Sequence, residues 1–130
     1  MPPLITKNLI YIHQKTVENT PVDFKRYLDK DIDWNAASIC VMGPRGVGKT
    51  TLLLQHYRAK YNDVEKCLYI SADNVEVSAG GLFRTAKEYF QYGGEALIID
   101  EIHKYPQWQS ELKSILDTFK GKKVLVSGSS

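Results

Sequence analysis

The segment GPRGVGKT, from Gly43 to Thr50, places glycines, a lysine and a threonine at the spacing G-x-x-x-x-G-K-[ST]. Glycines let a loop turn its N–H groups toward phosphate oxygens, and a helix that follows adds partial positive charge at its N-terminus. Lys49 is expected to contact the β- and γ-phosphates of a nucleotide, and the Thr50 hydroxyl to bind Mg²⁺. The predicted phosphate-binding residues are Gly43, Pro44, Arg45, Gly46, Val47, Gly48, Lys49, Thr50 and Thr51.

Two carboxylates, Asp100 and Glu101, follow the apolar run Ala96 to Ile99 directly. Burying carboxylates without partners is costly, so a positive charge is expected beside them. Parallel strands end on the same side of a sheet, which lets Asp100 face Mg²⁺ at the glycine-rich loop. Glu101 is then placed to take a proton from an attacking water or to orient it.

A third polar group, SGSS, ends the last strand-like run of the sequence. A hydroxyl there could hydrogen-bond both the γ-phosphate and the attacking water, and Ser127 and Ser129 are both candidates. The predicted catalytic residues are therefore Lys49, Glu101 and one of these serines. His103 is interpreted as a loop residue or hydrogen-bond partner rather than as a catalytic group.

Strand-like and helical patterns alternate from residue 36 onward, which predicts βαβ units and a mostly parallel sheet with helices on both faces. The predicted strands are ASICVMG, KCLYISA, EALIID and KKVLVSG. The predicted helices are KTTLLLQHYRAKY, GGLFRTAKEYFQY and PQWQSELKSILDTF.

The organisation predicted for the chain is a helical or extended segment at residues 1–35 and an α/β core at residues 36–130. Within the first segment, VDFKRYLDKDI is a candidate helix. Because the sequence stops just after a strand, we expect it to be a piece of a longer protein.

Composition excludes some classes of protein and leaves others open. A net charge of +2, from 17 basic and 15 acidic residues, provides no argument for nucleic acid or a membrane as a partner. Neither a membrane-spanning apolar stretch nor a signal peptide is recognisable, so a cytoplasmic protein is the simplest interpretation. Cys40 and Cys67 lie in apolar strand-like runs and are predicted to be buried, reduced thiols.

The segments RGVGKTTLLLQ, LYISAD, LIIDEIHKYPQWQSELKSILD and VLVSGSS together resemble the AAA-superfamily P-loop ATPases of bacteria and archaea that carry a large C-terminal domain. The resemblance covers about residues 24–130. It implies a three-layer α/β P-loop fold of the additional-strand type, truncated before its fifth strand, in which the SGSS strand lies between the P-loop strand and the LIIDE strand.

For function, the resemblance implies ATP rather than GTP, together with Mg²⁺. It also implies Lys49 and Thr50 at the phosphates, Asp100 at the metal, Glu101 as the base and Ser127 or Ser129 as the sensor of the γ-phosphate. Further copies of the chain and a C-terminal domain outside this sequence are the candidate partners.

Four alternatives compete with an ATPase that drives conformational change. A nucleotide-binding switch would bind ATP without significant turnover. The motif DEIH also matches that of a DExH-type helicase. Against the helicase, no basic or aromatic stretch that would track a nucleic-acid strand is present. A GTPase would need an Asn-Lys-x-Asp motif, which the sequence lacks, and a small-molecule kinase would not need Glu101 to act on water.

Overall fold

The structure is a computed structural model that describes residues 5–20, 32–44 and 48–129 of the 130-residue chain. Arg45, Gly46 and Val47 of the predicted phosphate-binding loop lie outside the described residues, and so do residues 22–31 of the candidate helix VDFKRYLDKDI. None of the helices in the described ranges is long and apolar enough to cross a membrane.

Strands and helices alternate along the described chain as the patterns predict. The strands are β1 (Ser38–Met42), β2 (Cys67–Ser71), β3 (Ala96–Asp100) and β4 (Lys123–Gly128). The helices are α1 (Lys7–Glu18), α2 (Lys49–Lys60), α3 (Val75–Gly80), α4 (Leu82–Tyr92) and α5 (Trp108–Thr118), with a 3-10 turn at Ile102–Lys104. Helices α1 and α3 and the 3-10 turn were not predicted.

The four strands form one parallel sheet in the order β1-β4-β3-β2. Strand β4 therefore lies between the strand before the glycine-rich loop and the strand that ends in Asp100, which confirms the additional-strand arrangement. The register pairs Met42 with Gly128 and Ser71 with Asp100. All four strands thus present their carboxyl ends at one edge of the sheet, where the polar residues of the site collect.

Helices cover both faces of the sheet, which confirms the three-layer α/β architecture. Alternate strand residues belong to two separate apolar clusters because successive side chains of a strand point to opposite faces. One face packs against α4 and α5 and includes Leu68, Ile70, Leu97, Ile99, Val124 and Val126. The other packs against α2 and includes Ile39, Cys67, Tyr69, Ala96, Ile98 and Leu125.

Helix α1 covers the edge strand β2 and contributes to both clusters through Leu9 and Val17. Its N-cap is Thr6, whose hydroxyl accepts the N–H of Leu9 at 3.2 Å. Between these ends, the buried His13 accepts the backbone N–H of Tyr69 at Nδ1, at 2.9 Å. A side chain of α1 thereby satisfies a donor at the sheet edge, where backbone groups would otherwise lack partners.

Protonation of His13 is expected to destabilise the fold, because burial lowers the pKa of this imidazole from 6.5 to about 4. Only the unfolded chain then binds a proton between these values, so stability is complete above the unfolded pKa and is lost as pH falls. We expect the free energy of unfolding to decrease by about 2 kcal/mol between about pH 7 and pH 5. Urea denaturation at both pH values measures this difference.

The matched variant is His13→Asn, which keeps an acceptor for the N–H of Tyr69 but does not titrate. Its pH dependence reports every other group, so the contribution of His13 is the difference between the two proteins. Equal pH dependence in both would contradict the assigned role of His13.

The two cysteines differ, and the prediction for Cys40 is wrong. Cys67 is buried as predicted, whereas Cys40 is exposed, and both are free thiols. Strand β1 lies at the edge of the described sheet and packs only the face that carries Ile39. Its apolar run therefore resembles that of a strand buried on both faces although one face is exposed.

Candidate functional site

A cavity of about 300 Å³ lies at the carboxyl edge of the sheet, beside the start of α2. The fold brings together residues from three separate segments of the sequence, and all of them belong to the predicted set. The lining residues are Gly48, Lys49, Thr50, Thr51, Asp100, Glu101 and Ser129.

The loop before α2 ends in a conformation that favours glycine. Gly48 is the N-cap of α2 and has a φ of 81°, in the left-handed region that favours this residue. The ammonium of Lys49, at the first position of α2, donates to the carbonyls of Gly43 at 2.7 Å and Pro44 at 2.8 Å. Two of its three donors thus hold the loop, and its positive charge lies at the N-terminus of the helix.

Asp100 is a buried carboxylate that accepts four hydrogen bonds. Its Oδ2 accepts from the Thr50 hydroxyl at 2.9 Å and from the Tyr69 hydroxyl at 2.7 Å. Its Oδ1 accepts from the Ser127 hydroxyl at 2.5 Å and from the backbone N–H of Glu101 at 3.0 Å. These donors explain how a carboxylate only 8% exposed is tolerated at the end of β3, and they fix its orientation toward α2.

Tyr69 is a site residue that the sequence reasoning missed. It lies in β2 opposite Ile98, on the same face of the sheet as Asp100. Burial, followed by the charge of Asp100 and their hydrogen bond, raises the pKa of Tyr69 far above its usual range. The phenol therefore stays a donor. The available signal was a tyrosine between Leu68 and Ile70 in an apolar run, because a buried tyrosine hydroxyl needs a partner.

The two candidate serines occupy different positions. Ser127 is fully buried and donates its hydroxyl to Asp100, and it does not line the cavity. Ser129 lines the cavity, and its backbone N–H donates to His103 Nδ1 at 2.9 Å.

Glu101 has backbone dihedrals of φ 56° and ψ 39°, which are uncommon for a residue other than glycine. Such a conformation costs roughly 1 kcal/mol or more and persists where the surroundings enforce it, often at functional sites. Glu101 lies between the end of β3 and the start of the 3-10 turn. Glu101 lines the cavity, and its Oε2 is 3.5 Å from His103 Nε2.

The chemistry of the donor set fits Mg²⁺. This ion prefers oxygen ligands and is usually held by one or two carboxylates together with waters and substrate phosphates. The Thr50 hydroxyl and the Asp100 carboxylate are oxygen donors 2.9 Å apart at the wall of the cavity.

A sequence model of the family described as "AAA domain" matches residues 35–130. No curated protein is significantly similar to the chain in sequence.

Two solved structures of the replication initiator DnaA are similar in fold. The DnaA structure from Aquifex aeolicus with bound AMPPCP has a TM-score of 0.53 and 18% identity, covering 97% of this chain and 40% of that one. A DnaA structure with AMPPCP and single-stranded DNA has a TM-score of 0.54 and 17% identity, with the same coverage. At these identities the likeness shows the fold, and this chain spans 40% of the length of either structure.

Proposed function

This chain belongs to the AAA domain family, and we propose that it binds ATP with Mg²⁺ and hydrolyses it, driving a conformational change in a larger protein. One observation carries the proposal. The Thr50 hydroxyl and the Asp100 carboxylate are in hydrogen-bond contact beside Lys49, and Glu101 lines the same cavity. This combination would supply a phosphate contact, a metal site and a base within one cavity.

Lys49 and the N-terminus of α2 would bind the phosphates, and Thr50 and Asp100 would hold Mg²⁺. When bound, the metal would offset negative charge on the phosphate oxygens and on the carboxylates. Glu101 would orient the attacking water and accept its proton. Most of the catalytic effect would come from positioning and charge neutralisation, as is usual in phosphoryl transfer.

We assign different roles to the two serines. Ser129 would contact the γ-phosphate or the attacking water, because it lines the cavity. Ser127 would orient Asp100 together with Tyr69, because both hydroxyls donate to that carboxylate.

ATP is proposed as the nucleotide because DnaA, which shares the fold, is described with the ATP analogue AMPPCP. The single-stranded DNA described with one of those structures is a partner of DnaA. A nucleotide-binding switch without turnover is the alternative for the present chain, and Glu101 in the cavity favours hydrolysis over it.

The proposed metal site predicts that Mg²⁺ strengthens ATP binding through the hydroxyl of Thr50. Thr50→Val removes that hydroxyl at nearly constant volume, and we expect the Kd for Mg²⁺·ATP to rise roughly tenfold. Thr50→Ser keeps the hydroxyl and should bind nearly as the unmodified chain does. Calorimetric titration of the three proteins with ATP, with and without Mg²⁺, measures the effect.

Without Mg²⁺ the three proteins should bind ATP equally, which is the internal control of this titration. Mg²⁺·GTP serves as the competitor nucleotide and should bind more weakly than Mg²⁺·ATP. A Thr50→Val protein that retains the full effect of Mg²⁺ would contradict the metal site, and equal affinity for GTP would contradict the preference for ATP.

A further inference from the structure

The imidazole of His103 lies between two groups of the candidate site. On one side, Nδ1 accepts the backbone N–H of Ser129 at 2.9 Å. On the other, Nε2 is 3.5 Å from Oε2 of Glu101. One ring therefore joins the residue that follows β4 to the carboxylate that follows β3.

The hydrogen bond from Ser129 determines where the ring carries its proton. A backbone N–H can only donate, so Nδ1 must be unprotonated in order to accept it. The single proton of the neutral imidazole is then on Nε2, which faces the Glu101 carboxylate. The ring thus offers a donor to Glu101 as long as the contact with Ser129 is kept.

The distance between Nε2 and Oε2 is 3.5 Å, longer than the roughly 2.7 to 3.2 Å of a well-formed hydrogen bond. Catalytic hydrogen bonds are often long before the substrate binds and shorten in the complex. The side chains of His103 and Glu101 are 23% and 35% exposed, so a small rotation of either can close the gap.

Two further features allow the ring to lie close to the end of β4. Gly128 lies against it, and a Cβ at that position would be 3.3 Å from His103 Nδ1 and 2.9 Å from Ile102 Cγ2. The left-handed backbone of Glu101 begins the 3-10 turn that carries His103. The absence of a side chain at Gly128 and the tight turn after β3 together allow this close approach.

We propose that His103 is a positioning residue for Glu101. Its imidazole would fix the position of the Glu101 carboxylate relative to the Ser129 backbone. The end of β4 and the proposed base then move together, so a phosphate that contacts Ser129 also sets the orientation of Glu101. The inference rests on the proposed function of Glu101 and extends it to a residue outside the cavity lining.

Two amide variants separate the two contacts of the ring. His103→Gln can present a side-chain N–H near the position of Nε2, which keeps a donor to Glu101. His103→Asn can present an oxygen near the position of Nδ1, which keeps an acceptor for the Ser129 N–H. His103→Ala removes both.

Single-turnover and steady-state ATPase assays on the four proteins test the role. We expect kcat to fall roughly 10- to 100-fold in His103→Ala and His103→Asn, with the Kd for Mg²⁺·ATP nearly unchanged. His103→Gln should recover part of kcat, because it keeps the donor to Glu101 but loses the contact with Ser129. Retained kcat in His103→Asn together with its loss in His103→Gln would overturn the proposal, because His103 would then serve only to anchor Ser129.

A second readout is independent of turnover, so it distinguishes failure of this inference from failure of the proposed ATPase function. Imidazole ¹⁵N and ¹³C NMR shifts of the unmodified chain should show the His103 proton on Nε2. Glu101→Gln should shift the Nε2 resonance, whereas Glu65→Gln, at an exposed position outside the site, should not. A proton on Nδ1, or a resonance insensitive to Glu101→Gln, would overturn the proposal even in a protein that hydrolyses ATP.

Discussion

Replacing Glu101 by glutamine is expected to lower the rate of ATP hydrolysis roughly 10²- to 10⁴-fold, the usual contribution of a general base. Glutamine keeps the size of the side chain and can hydrogen-bond a water, but it cannot accept a proton. Since Lys49, Thr50 and Asp100 are untouched, the Kd for Mg²⁺·ATP should stay within about twofold of the original value.

Phosphate release and calorimetric titration of Glu101→Gln measure the two quantities separately. Glu65→Gln removes the same charge from an exposed loop and should change neither. Turnover that survives in Glu101→Gln would make the assignment of the base wrong. An unmodified protein that binds ATP but does not turn it over would favour the nucleotide-binding switch.

The second large effect is expected from Lys49→Ala, which should weaken Mg²⁺·ATP binding by roughly 100-fold or more. Hydrogen bonds to charged groups contribute about 1.5 to 3 kcal/mol each, and this ammonium would contact two phosphates. The variant also removes the bonds from Nζ to the carbonyls of Gly43 and Pro44, so the described part of the loop loses these two contacts.

Calorimetric titration of Lys49→Ala and of the unmodified chain with Mg²⁺·ATP makes the comparison, and circular dichroism confirms that the variant is folded. Lys87→Ala, at an exposed position of α4, is the matched control and should bind normally. Unchanged affinity in Lys49→Ala would contradict the phosphate site. A folded, unmodified chain that binds no nucleotide would contradict nucleotide binding by this chain.

Local patterns in the sequence determined the elements of the α/β core. All four strands were predicted to within about two residues, because short apolar runs bounded by glycine or polar residues indicate strands, although the run of β1 did not show that one of its faces is exposed. The spacing of Gly48, Lys49 and Thr50 predicted the loop and the start of α2, since that motif is contiguous in the chain. The order of the strands came only through the resemblance, because the pattern of a strand does not specify its neighbour.

Helix α1 shows where local patterns were insufficient. Its buried residues Leu9, His13 and Val17 are four positions apart, but a histidine in that series does not indicate a core position. Only the packed structure shows that His13 accepts the N–H of Tyr69 in the edge strand. We propose that α1 folds as one unit with the core at residues 36–130, because it contributes to both apolar clusters.

By itself, the sequence determined which residue types stand at the ends of the strands, and it therefore predicted phosphate and metal chemistry there. The tertiary structure alone decided which of them meet. Register across β4, β3 and β2 brings Ser127 and Tyr69 onto the Asp100 carboxylate and leaves Ser129 at the cavity. These contacts join residues 27 and 31 positions apart from Asp100, and the pairing of strands sets such distances while spacing along the chain does not.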